Sequence, residues 1–179
     1  MYKRLFKYEI AGTVFTFIAA TLLHFVYKWT NGEVWAIMIG AVNESVWEHI
    51  KIFALPYILW GIFELAILKV PVKRLIVAKT LGLYILSALT IVFFYSYTAI
   101  LGTSVLIVDI ISVFVWVVLA HLISYKIMKS SSKIEMFFTI SCFALAIFLS
   151  MYLSFTVNPP ELELFRDPKT NLYGVIAIF

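Results

Sequence analysis

The apolar residues of this chain come in long blocks almost free of charge, and no other feature narrows the possible folds so far. Residues 9–27, 75–101, 104–128 and 134–157 each form such a block. At 1.5 Å of rise per residue, about 20 residues in a helix cross the hydrocarbon core of a bilayer. A soluble domain of this length would carry its apolar residues in amphipathic stripes, about half of its composition, with about a quarter charged. Here 63% of the 179 residues are hydrophobic and 13% are charged. Lipid, rather than a water-shielded core, is the solvent that this composition matches.

The fold class read from these blocks is all-α: a polytopic membrane helical bundle with about five transmembrane helices and one short interfacial or re-entrant helix. Residues 1–157 form a single helical domain, and residues 158–179 form a tail. The segment 34–68 departs from the pattern, being too long for one span and too short for two with a loop. It holds a polar insert, Asn43-Glu44-Ser45-Val46-Trp47-Glu48-His49-Ile50-Lys51, and then Pro56. We read 34–42 as the short helix and 50–68 as the full span. Irregular backbone at membrane depth is tolerated only where it is buried in protein or lines a cavity, so this segment is the first place to seek a site.

Lysine and arginine set the expected orientation. The N-terminus carries Lys3, Arg4 and Lys7, the next basic loop Lys69, Lys73, Arg74 and Lys79, and a third Lys126, Lys129 and Lys133. The expected topology has the N-terminus inside and the C-terminus outside, in a bacterial cytoplasmic membrane, with the first span kept as an uncleaved helix. The net charge of +4 sits at span ends, which makes it a topology signal and excludes nucleic acid as a partner. Cys142 is the only cysteine, so an intramolecular disulfide and a cysteine metal cluster are excluded. The small pair Ala11-Gly12 offers a surface for a partner membrane protein or a second copy of the chain.

With that topology the ionisable residues inside the apolar blocks converge on the outer leaflet. His24 lies about one turn from the outer end of the first span, and Asp109 lies roughly 8 Å inside the fourth. If 43–51 is helical, Glu44 stacks on Glu48 and Ser45 on His49, four residues apart on one face. Stacked carboxylates call for a cation: a metal, Lys51, or a proton on one of them. Histidine and carboxylate ligands suit zinc or another divalent ion, and His49, His24 and Asp109 are the expected ligands. Glu48 or Glu44 would act as general base, and Ser45 would position the substrate. Asn43, Trp47, Lys51, Arg166 and Asp167 are the expected substrate-binding residues. A structural alternative stays open, in which Glu48 and Glu44 pair with Lys51 while Asn43 or Ser45 caps a helix. Glu9, Glu64 and His121 fall toward the inner side, where pairing with Lys126 or Lys69 accounts for them.

The tail, NPPELELFRDPKTNLYGVIAIF, is expected either to fold over the outer mouth as a lid or to lie loosely at the interface.

The run NESVWEHIK at 43–51 and the tail from Asn158 to Gly174 resemble an uncharacterised family of small bacterial integral membrane proteins. The resemblance covers the whole chain and implies no reaction. Ser45-x-x-x-His49 and Asp109 are also similar to two parts of the alkaline-ceramidase-related membrane hydrolases, whose H-x-x-x-H pair this chain lacks. Two functions stay open. One is a metal-assisted hydrolase or transferase acting on a lipid or lipid-like substrate. The other is a small-molecule binding or transport protein that resembles the substrate-capture subunits of vitamin importers in size and layout.

Overall fold

A computed structural model describes residues 2–131 and 133–176, all helix, turn and loop apart from one isolated bridge between Arg166 and Tyr173. Six α-helices follow in order: α1 Tyr2–Trp29, α2 Val34–Ile39, α3 Val46–Leu68, α4 Val72–Leu101, α5 Leu106–Lys129 and α6 Phe138–Val157. Short 3-10 turns at Ile134–Phe137 and Glu163–Phe165 precede α6 and interrupt the tail. Five of the helices, all but α2, are long and apolar enough to cross a membrane, as in a multi-pass membrane protein. Their outward faces carry large apolar side chains, with Ile62 at 59%, Val92 at 62% and Phe143 at 67% exposure. Continuous apolar surface of that kind needs lipid or another protein against it.

The chain reverses where local chemistry permits. Asn31 and Gly32 turn it after α1 at φ 53° and 82°, and Gly102 ends α4 at φ 74°. Lys69 closes α3 in the left-handed region, and Pro71 then sets up the start of α4. The five long helices alternate in direction. The N-terminus and the α3–α4 and α5–α6 connections therefore share one end, the basic end. The α1–α2 and α4–α5 connections share the other with the C-terminal tail, the tail end. Helix α1 packs on α3 and α5, and α4 packs on α3, α5 and α6.

Helix α3 starts at Val46, several residues ahead of the expected 50. Its N-cap is Ser45, whose hydroxyl accepts the Glu48 N–H at 3.3 Å. Glu44 is consequently in the loop before the helix, and the expected helical stacking of Glu44 on Glu48 does not occur. The polar residues of 43–45 satisfy the backbone at a helix start, a stronger local demand than continuing the helix backward.

Midway between the core and the basic end lies a buried polar quartet. Lys79 Nζ is 2.8 Å from Glu9 Oε2 and 2.7 Å from Glu64 Oε2, and His121 Nδ1 is 2.6 Å from the same Glu9 oxygen. The partner of these acidic groups is thus Lys79, about two turns inside α4, rather than Lys126 or Lys69. Gly12 packs within the bundle as well. A Cβ there would meet Trp60 Nε1 at 2.3 Å and His121 Cε1 at 2.6 Å, so internal packing already covers this glycine.

Candidate metal centre at the tail end

Three side chains from three parts of the chain meet at the tail end. Gly40 begins the arrangement: it ends α2 with its N–H on Ala36 O at 2.8 Å, and a Cβ there would press on Leu23 O at 3.1 Å. With no side chain in the way, the following loop runs against α1, and the Ala41 N–H reaches Leu23 O at 3.4 Å. Glu44 is thereby carried beside His24. His49 arrives from the first turn of α3, its ring centroid 5.3 Å from that of His24.

Glu44 Oε2 lies 3.9 Å from His24 Nε2 and 3.7 Å from His49 Nε2, and the three ligand atoms fall within 4.8 Å of one another. Tetrahedral zinc with bonds of about 2.0–2.1 Å separates its ligand atoms by roughly 3.4 Å, so Glu44 must draw closer to both histidines to close on an ion. The His49 ring is already aimed. Its Nδ1 is 2.8 Å from the Ser45 carbonyl, which only accepts, so Nδ1 carries the hydrogen and Nε2 presents its lone pair to Glu44 and His24. The other Glu44 oxygen, Oε1, takes the Lys169 ammonium at 3.1 Å. His24 Nδ1 is buried and has no hydrogen-bond partner among the described residues. An open cavity of about 300 Å³ adjoins the triad, and Lys28, Asp167, Lys169 and Thr170 also line it.

The tail is ordered over this site as far as residue 176. Asn43 Nδ2 donates to Gly174 O at 2.8 Å, and the Tyr27 hydroxyl donates to Ile176 O at 3.0 Å. Asp167 ties the tail turn to the loop before α3. Its Oδ2 accepts the Glu44 N–H at 2.9 Å, while its Oδ1 accepts those of Lys169 at 2.7 Å and Thr170 at 2.9 Å. Burial pushes the Asp167 carboxyl up, but the backbone N–H groups of Glu44, Thr170 and Lys169 outweigh it and hold the group below the usual carboxylate value. The last tail residues, 177–179, lie outside the described residues.

The other expected site residues are placed elsewhere. Glu48 and Lys51 form a buried ion pair at 2.6 Å. Glu48 Oε2 also accepts the Val42 N–H, and Lys51 Nζ reaches Ile37 O at 3.1 Å and Thr156 Oγ1 at 3.2 Å. A carboxylate so engaged is not free to serve as a general base, and a lysine with 0% exposure does not face a substrate. Trp47 is buried against Phe148, Phe155 and Phe165, where it fastens the tail to α3 and α6 rather than lining the cavity. Asp109 accepts the Tyr97 hydroxyl at 2.5 Å and stands outside the triad, although within electrostatic reach of His49. Arg166 pairs with Glu163 and Asn171 near the surface. Ser45 serves by capping α3 and orienting His49. Lys169, Lys28 and Thr170 at the cavity went unread in the sequence, since a lysine in a polar tail carries no local sign of what it faces.

The chain belongs to DUF6512, a family of unknown function whose model matches residues 1–175. No curated protein and no solved structure matches it.

Proposed function

Because membership of DUF6512 brings no activity with it, we propose one from the geometry: His24, Glu44 and His49 bind a divalent metal, zinc before others, at which a group of a lipid-like substrate is hydrolysed or transferred. The observation that carries this reading is the approach of three ligand atoms to within 4.8 Å with the His49 lone pair held toward the other two. Two histidines and one carboxylate form the ligand set of several hydrolytic zinc sites and leave coordination positions for water and substrate. A metal held by His24, Glu44 and His49 would supply an activated water at neutral pH. That chemistry suits a site where the nearby carboxylates of Glu48, Asp167 and Asp109 are each engaged by other groups. Lys169, beside Glu44, supplies positive charge where a reacting carbonyl or phosphoryl oxygen would gain negative charge.

The lipid-like substrate is inferred from position. Phe25 and Trp29, adjoining His24 on α1, are 42% and 63% exposed and continue the apolar surface of the bundle up to the site. The distribution of lysine and arginine supports a reading in which this end faces outward from a cytoplasmic membrane. The open cavity of about 300 Å³ favours a second reading, in which the site captures a small molecule for transport without turning it over.

Elemental analysis of detergent-purified protein, prepared without chelators, tests the first reading. Near-stoichiometric zinc or another divalent ion in the wild type, lost in both His49→Ala and Glu44→Gln, supports it and justifies a screen of lipid hydrolysis. A metal-free wild type that is monodisperse and takes up no added zinc removes it, and the small-molecule reading then takes precedence.

A further inference from the structure

The buried quartet near the basic end involves none of the metal-centre residues, and its charges do not balance. Glu9 is 2% exposed, Glu64 0%, His121 1% and Lys79 8%. With a neutral imidazole, two carboxylates face one ammonium, which leaves a net charge of −1 in a bundle interior where uncompensated charge is costly. One added proton on His121 makes the count two against two.

The surroundings are built for both states of that ring. His121 Nδ1 lies 2.6 Å from Glu9 Oε2, a carboxylate oxygen that accepts from it whether the ring carries one proton or two. Its Nε2 lies 3.2 Å from the Thr16 hydroxyl, a group that donates to a bare nitrogen and accepts from a protonated one. Glu9 Oε1 accepts the Ser124 hydroxyl at 2.6 Å, and Glu64 Oε1 accepts the Trp60 N–H at 3.2 Å. Tyr57 packs edge-on against the His121 ring and sends its own hydroxyl to Ala120 O at 3.3 Å. The charged or titratable groups facing the ring are therefore Glu9 from α1, Tyr57 from α3 and Lys79 from α4, with Glu64 of α3 joined to them through Lys79.

Glycines on three helices make the room. Gly12 leaves space for His121 and Trp60. Gly61 lies under the Lys79 stem, where a Cβ would come 3.1 Å from Cγ, and Gly82 lies under the Tyr57 hydroxyl. Glu9 and His121, although almost fully buried, also line a groove of about 270 Å³ between α1 and α5 whose other lining is apolar apart from Thr13.

We infer that Glu9, Glu64, Lys79 and His121 form a proton-binding site, in which His121 Nε2 takes up one proton from water at neutral pH and thereby neutralises the quartet. The step forms one N–H bond, breaks one O–H bond of a hydronium ion, and needs no other reactant. It gives the protein a proton-responsive centre at the end of the bundle opposite the metal centre. The inference stands whether or not a metal binds there.

Nitrogen NMR of protein labelled at its three histidines, in detergent and across the neutral pH range, tests this. His121→Gln assigns the ring, and His24→Gln with His49→Gln assign it by elimination if that variant does not fold. In the wild type the ring is expected to pass from neutral to doubly protonated. In Glu64→Gln, where the remaining charges already balance, it is expected to stay neutral throughout. In Lys79→Met, where the deficit grows, it is expected to stay doubly protonated. A wild-type ring fixed in one state throughout overturns the inference, as does a titration that neither substitution moves in monodisperse protein. Either result would make the quartet a structural ion-pair network.

Discussion

Ser45 shows how one residue can serve two parts of the molecule through different atoms. Its hydroxyl caps α3, while its carbonyl orients His49. Ser45→Ala should therefore cost about 1 kcal/mol of stability, the usual value of a lost N-cap, and leave metal content unchanged. Denaturation in mixed micelles together with elemental analysis checks both halves. The Glu48–Lys51 pair behaves differently. Removing one partner strands a buried charge, so Lys51→Met should destabilise the fold by roughly 3–5 kcal/mol, whereas Glu48→Gln together with Lys51→Met should recover much of that loss. A double variant no more stable than the single would show that the pair is not the reason for the damage. Both residues are legible in the sequence as unusual. Their partnership, three residues apart on a helix, was one of two readings, and only the position of the helix start chose between them.

At the scale of elements, the tail is what covers the candidate metal centre. Asp167 joins the tail turn to the Glu44 backbone, and its depressed carboxyl sets the pH dependence of that joint. Because the docked carboxyl titrates below its undocked value, docking is fully supported above the ordinary carboxylate range. It is lost as pH falls through the lowered value. Protection of the Glu44, Lys169 and Thr170 amides from hydrogen exchange, taken relative to the intrinsic rate at each pH, should thus be high at neutral pH and fall on acidification. In Asp167→Ala protection should be low at both. High protection in Asp167→Ala would mean that Trp47, Asn43 and Tyr27 hold the tail without it. The sequence left two states of this tail open, because its turn residues specify a local shape and not a docking surface. The contacts that dock it come from residues 27, 43, 44 and 47, far away along the chain.

For the whole molecule, close helix packing decides stability, and the quartet depends on it. A Cβ on Gly82 would fall 2.1 Å from the hydroxyl of the fully buried Tyr57 and 3.0 Å from Ala120 O. Gly82→Ala should lower stability by about 1–3 kcal/mol, as overpacking does, despite the better helix propensity of alanine. Gain of stability in that variant would mean that α4 and α5 separate more easily than this packing implies. The orientation of the bundle is tested with reporters at the two termini. The expected result is an N-terminal fusion active only inside the cell and a C-terminal fusion active only outside, as the clustering of lysine and arginine at the basic end requires.

The amino-acid sequence by itself determined the all-helical class and the five long apolar helices, because span length follows from hydrophobic run length alone. It also singled out 34–68 as the segment that departs from the pattern, since the polar insert at 43–51 in an apolar block is visible without coordinates. What it left undetermined were the pairings. The assignment of Asp109 to Tyr97 and of Glu9 to Lys79 and His121 depends on which helix faces which, and that of Glu48 to Lys51 on where α3 begins. Depth along a span can be counted from its ends, but rotation about its axis cannot, because helices this apolar on every side carry too little periodicity to reveal the inward face. Tertiary packing sets that rotation. It therefore decided that His24, Glu44 and His49 meet at one end of the bundle, and that four buried charged or titratable groups meet near the other.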